Sequence, residues 1–299
     1  MRTLEYLTGP ASSMFWPGVL AGLAIALQGA VLSVLVVLKR MAFIGQGVSH
    51  AAFGGIGLAA FLGVSAGMWF PLVGLFCVVS AWVIAWGSGR KEGRTRAGSS
   101  PDTVIGVALV GAMALGAILL ALRAKRGGGG AAPGWEQVLF GSILAVTPWD
   151  AWVALGSCAL TAVVVWWVRR PMLNWAFDET TAEASGAPVA SMRMVLLTLL
   201  AVAIVTAMKL AGVVLATALL VLPGAAALRI ASRMGGVLLW SGVIGVVGMA
   251  GGMVVSFESD LPPGACVVGA LVLMYGVASV VGHRGSAMVS GGLKGEKAA

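Results

Sequence analysis

Residues 45–55 read GQGVSHAAFGG, and this stretch decides how the rest of the chain is read. Gln46 and His50 stand four residues apart, which puts them on one face if the segment is helical. Around them Gly45, Gly47, Ser49, Ala51, Ala52, Gly54, Gly55 and Gly57 supply almost no side-chain bulk. Runs of small residues let helix backbones approach closely inside a bilayer. The segment is too small and polar to face lipid, and it carries the one histidine inside the apolar bulk of the chain. Such a helix belongs at the centre of a bundle.

The surrounding composition gives that bundle its solvent. Of 299 residues 59% are hydrophobic and 10% charged, with a mean hydropathy of +0.99, against about 25% charged in a soluble domain. The chain therefore reads as an integral membrane protein with one membrane domain over residues 1–283 and a disordered tail over 284–299. The net charge of +8 does not indicate nucleic acid, because the basic residues sit in short loops beside apolar spans, where they orient the chain in a bilayer. Cys77, Cys158 and Cys266 fall singly in apolar segments without a CxxC pair, so they read as packing residues rather than redox or zinc ligands.

A helix crosses a bilayer with about 20 apolar residues. Clear spans run over 14–38, 44–62, 68–86, 103–122, 149–168, 237–257 and 263–281. The fold class is all-α, a polytopic transmembrane bundle of about eight or nine membrane segments. Lys39 and Arg40 follow the first span and Arg90, Lys91, Arg94 and Arg96 the third, which places these loops in the cytoplasm and the N-terminus outside. Arg123, Lys125 and Arg126 fall on the outer side and break the pattern. For the C-terminus to lie inside, residues 194–228 must cross and return. A helix broken near Lys209–Gly212 would allow it; one long tilted helix is the alternative. Gly127–Gly130 followed by Pro133 reads as a flexible loop. Trp69, Trp86, Trp149 and Trp240 lie near span ends and read as interfacial anchors.

No GxxxxGK[ST] phosphate loop occurs, so if the chain serves a pump its ATPase is another polypeptide. Nor is there an HExxH motif or a pair of intramembrane carboxylates, which disfavours an intramembrane enzyme. The polar connection PMLNWAFDETTAEASGAPVASMR, residues 171–193, is long for a link between spans. Either it is a solvated loop, or its short helices, broken by Gly186 and Pro188, present a docking surface to a cytoplasmic partner.

Four motifs in order resemble the permease subunits of ABC importers for zinc, manganese and iron(II). They are RMAFIGQGVSHAAFGGIGLA at 40–59, DTVIG at 102–106, the run from Phe177-Asp178 to Ala184-Ser185-Gly186-Ala187-Pro188 followed by KLAGVVLATALLVLPGAAA, and SFESDLPPGA at 256–265. The resemblance covers 15–282 and implies a dimeric permease with no permanently bound cofactor, its cargo a divalent metal ion. Cytoplasmic ABC ATPase subunits that bind the ATP and an extracytoplasmic metal-binding protein are the implied partners, in the inner membrane of a bacterium. It implies a metal role for His50. Gln46 stands where the family usually has aspartate, and a neutral amide adds no charge and ligates weakly, which disfavours hard cations such as manganese. Asp102 and Asp260 are further metal candidates, with helix capping and a helix start as their ordinary explanations. Phe177, Asp178, Glu179, Glu183, Ala184, Gly186 and Pro188 are implied as the ATPase-coupling surface, with Phe177 as an aromatic anchor and the acids at its rim. The rival readings are an ATP-independent secondary metal carrier, an ABC permease for a larger cargo, and a membrane protein without transport in which His50 only packs.

Overall fold

The computed structural model describes residues 9, 12–88, 101–126 and 146–295. Among them the regular structure is helical throughout: α1 Ser12–Leu38, α2 Ala42–Leu62, α3 Ala66–Ser88, α4 Pro101–Lys125, α5 Pro148–Phe177, α6 Glu179–Ala184, α7 Val189–Leu219, α8 Leu222–Ile230, α9 Met234–Ser259 and α10 Pro263–Gly295. Helices satisfy their backbone groups internally, as a bilayer requires. Local sequence sets their ends. Gly63 closes α2 in the left-handed region with φ 64. Thr147 opens α5 through a capping box with Asp150, with proline in the first turn.

Two apolar clusters organise the bundle. One gathers residues of α2, α3 and α7 with the end of α5; the other gathers α1, α8, α9 and α10. Helix α7 contributes to both, and α1 is stitched to its neighbours by polar bonds. Gln28 Nε2 donates to Thr161 Oγ1 of α5 at 2.9 Å, and Ser157 Oγ donates back to Gln28 Oε1 at 3.1 Å. Ser241 Oγ of α9 donates to the Ala30 carbonyl at 2.7 Å. Hydroxyl and amide groups of this kind join helices where lipid offers no partner.

The quoted glycines do what their size permits. A Cβ on Gly57 would stand 2.6 Å from the Cα of Gly116 in α4, and one on Gly55 would stand 3.0 Å from the Cα of Val73 in α3. Thirteen of the 21 residues of α2 are buried. Among the described residues eight helical segments are long and apolar enough to cross a membrane, and α2 is not one of them. It is largely covered by α3, α4 and α7, so most of its surface has no need to be lipid-soluble. Counting α2 with those eight, the described helices run through the bundle nine times.

The stretch 194–228 does cross and return. Gly212 has φ 70 and ψ 174 inside α7, a backbone open to glycine and closed to a helical residue. Before the break, Val205 meets Gly74 in the outer half of α3. After it Leu219 faces Gly29, and Gly224 of α8 lies against Ser33, so the chain descends along α1 towards Lys39. Val189–Met208 and Gly212–Ile230 are separate spans, and the single tilted helix is excluded.

Other expectations shift. Helix α5 runs to Phe177 with Pro171 inside it, so the first residues of the polar connection continue the span. Helix α10 is helical to Gly295, past the point where the tail was expected to lose structure. The basic outer residues gain a local reason, since the Arg126 guanidinium lies 4.5 Å from the centroid of the Phe61 ring at the end of α2. The expected loop at 127–133 lies outside the described residues.

Candidate functional site

Burial on α2 is one-sided. Phe43 and Gln46 are exposed and His50 and Phe53 half-buried, while their neighbours round the helix are enclosed. The spacings of three, four and three make one stripe. Helix α4 covers the side of Gly47, Gly54 and Gly57, α3 covers Gly55, and Leu220, just past α7, touches Gly45. Gly54 and Gly57 follow His50 by four and seven residues on the stripe's own side, and Phe53 lies against Gly116. Helix α4 thus covers the stripe beyond His50, and the chain leaves open its part at Phe43 and Gln46, with His50 at the border. Among the described residues neither Gln46 nor His50 is held by a hydrogen bond. Beside them the buried Ser49 hydroxyl is also without a partner there, a polar group that the sequence reading counted only as small.

An imidazole and an amide one turn apart offer a nitrogen and an oxygen donor, suited to a borderline cation that binds weakly enough to move on. No group of three or more His, Cys, Asp or Glu gathers among the described residues. Asp102 lies in the first turn of α4, below Ile105, which opposes Gly47, and so sits towards the basic end of the bundle. Asp260 is remote from the stripe and starts no helix: it ends α9 in the left-handed region, φ 54 and ψ 33, on the turn to α10. A cavity of about 490 Å³ opens elsewhere, between α1, α3, α5 and α7 at the outer end, lined mostly by apolar groups with Thr147, Asp150 and Thr206. It does not include the stripe, and its size alone gives it no claim to the chemistry.

At the opposite, basic end the chain between α5 and α7 is folded. Asp178 caps α6, its carboxylate accepting from the backbone N–H groups of Thr180 and Thr181 and from both their hydroxyls, at 2.6 and 2.5 Å. The hydroxyl bonds from Thr180 and Thr181 hold its carboxyl down at about 2. Gly186, with φ 78, follows α6 and Pro188 caps α7, as the sequence suggested. Phe177 is 65% exposed, and Glu183, Ala184 and Pro188 are also on the surface. Glu179 departs from the expected rim. It turns inward to Lys39 Nζ at 2.9 Å and pairs with Arg193. Burial pushes its carboxyl up, but the hydrogen bond from Lys39 and the charges of Arg193 and Lys39 outweigh that and hold it below the ordinary value. Lys39 also donates to the Trp175 carbonyl at 3.2 Å and lies 4.4 Å from that ring's centroid. The buried Trp175 Nε1–H makes no bond of good geometry, yet it lies close enough to Glu179 to favour the carboxylate. Sequence spacing held no sign of this cluster, which joins residues 140 and 14 positions apart.

A family model described as the ABC 3 transport family matches residues 12–282. The chain is 30% identical over 248 residues to the manganese transport system membrane protein MntC of Halalkalibacterium halodurans, covering 83% of this chain and 80% of that one. It is 29% identical over 265 residues to the chelated iron transport system membrane protein YfeD of Yersinia pestis, covering 89% and 84%. The solved structure of PsaBC from Streptococcus pneumoniae in complex with Fab aligns over 92% of this chain and 93% of that chain with a TM-score of 0.75, at 24% identity.

Proposed function

This chain belongs to the ABC 3 transport family, and on that premise we propose that it is the permease subunit of an ATP-driven importer of a divalent transition metal in the bacterial inner membrane. The observation that carries the reading is the open stripe of α2. A histidine and a glutamine on an otherwise enclosed helix are costly against lipid, and a second copy of the chain facing the stripe would turn that face into a path. Two such stripes would supply two imidazoles and two amide oxygens, four donors where one chain brings two. Weak amide ligation favours release, and a softer cation such as zinc over manganese.

ATP is hydrolysed on a separate subunit docked at the cytoplasmic end. Phe177 is the aromatic anchor of that surface, with Asp178, Glu183, Ala184, Gly186 and Pro188 around it. A metal-binding protein delivers the ion at the outer face. The mechanism is alternating access: closure of the ATPase pair displaces α6, and the helices rock about the stripe. The permease conducts the ion, which is its cargo, and performs no covalent chemistry.

The test is reconstitution of the chain with its cognate ATPase in proteoliposomes. Zinc or manganese uptake should require both ATP and the ATPase. Uptake driven by an ion gradient without the ATPase would establish the secondary carrier instead.

A further inference from the structure

The ion cluster at the basic end joins four pieces of the bundle through one carboxylate. Glu179 is the first residue of α6. One of its oxygens takes Lys39, in the turn between α1 and α2, and the other takes Arg193, in the first turns of α7. Lys39 in turn grips the last turn of α5 through the carbonyl and ring of Trp175. The side chains of Lys39 and Arg193 are 13% and 14% exposed, so this is a partly desolvated joint rather than a surface pair.

The turn that Lys39 occupies is short and shaped. Arg40 is in the left-handed region with φ 55, and the Met41 N–H bonds back to the Val36 carbonyl at 2.9 Å. Helix α2 begins at Ala42, so a displacement of Lys39 is a displacement of the first turn of α2. Above it, close packing of Gly47, Gly54 and Gly57 against α4 leaves α2 little freedom to absorb the movement by bending. Asp178, by contrast, spends its hydrogen bonds within α6 and fixes the shape of that helix without tying it to its neighbours.

We propose that Glu179 is the positioning residue that transmits movement of α6 to the α1–α2 turn, and so to the helix carrying Gln46 and His50. The inference rests on the reading of the chain as an ABC permease. Removing the charge leaves Lys39 and Arg193 facing a neutral group, so α6 keeps its cap and its outward face but loses its grip on α1 and α7. Coupling travels through such a contact only if both sides move with it.

The experiment uses the full permease–ATPase complex in proteoliposomes, with zinc(II) and manganese(II) as cargo. Wild type, Glu179→Gln, Lys39→Met and the double variant are compared for co-purification with the ATPase, ATP hydrolysis and metal moved per ATP. The expected result for each single variant is normal co-purification and sustained hydrolysis, with metal moved per ATP down about tenfold, within the usual range of coupling effects. The double variant should be no worse than either single one, since both cut the same tie. Normal stoichiometry in Glu179→Gln, additive losses, or failure of Glu179→Gln to assemble with the ATPase while Lys39→Met remains fully coupled would each overturn the proposal. Absence of ATP-dependent uptake in wild type would instead strike at the parent reading.

Discussion

Replacing Gly57 with alanine tests the enclosure of α2 on which the site depends. The new Cβ would stand 2.6 Å from both the Cα and the carbonyl oxygen of Gly116, where carbon atoms settle at about 3.5–4 Å. Both groups are backbone, so no rotamer change relieves the clash and the helices must part by about 1 Å. Overpacking of this kind costs about 1–3 kcal/mol, and a rigid backbone contact belongs at the upper end. Alanine's better helix propensity returns about 1 kcal/mol. The net loss is about 2 kcal/mol, or roughly 3 °C in Tm for a chain of this size. Gly111→Ala on α4 is the control, since its Cβ meets nothing within 4 Å, and it should be neutral or slightly stabilising. Thermal unfolding of the purified variants in one detergent reads the difference. Gly57→Ala melting with Gly111→Ala would refute the claim that α2 and α4 meet backbone to backbone.

Gln46→Asp adds a carboxylate to the open stripe and should strengthen competition by manganese more than by zinc in uptake assays; unchanged competition profiles would take this position off the path. For Asp178, whose carboxyl falls from the ordinary 3.8 to about 2, the cap is fully present above 3.8 and lost as the pH falls towards 2. Asp178→Ala should therefore speed amide exchange at Thr180 and Thr181 at neutral pH, and unchanged protection would show that α6 does not need the cap.

The helices and their order were legible because bilayer thickness imposes length and hydropathy, but the break at Gly212 was only one of two readings of a stretch short for two ordinary spans, and its backbone angles decide between them. The stripe was half legible. Spacing put Gln46 and His50 on one face, but which face the bundle leaves open depends on α3, α4 and α7, which come from elsewhere in the chain. Asp260 misled because an aspartate before Pro262 and Pro263 looks like a helix start, whereas its left-handed backbone ends the preceding helix. Glu179 misled for the opposite reason. Its neighbours Asp178 and Glu183 are exposed, and only the arrival of Lys39 and Arg193 from distant segments turns it inward.

The central claim, that the open stripe of α2 lines the path of the ion, is tested most directly at His50. In proteoliposomes holding the permease and its ATPase, His50→Ala should reduce ATP-dependent zinc uptake to background while co-purification with the ATPase and thermal stability stay at wild-type levels, because the side chain is half-buried at the border of the open face and makes no hydrogen bond among the described residues. Uptake at the wild-type rate in that variant would contradict the account and leave His50 a packing residue.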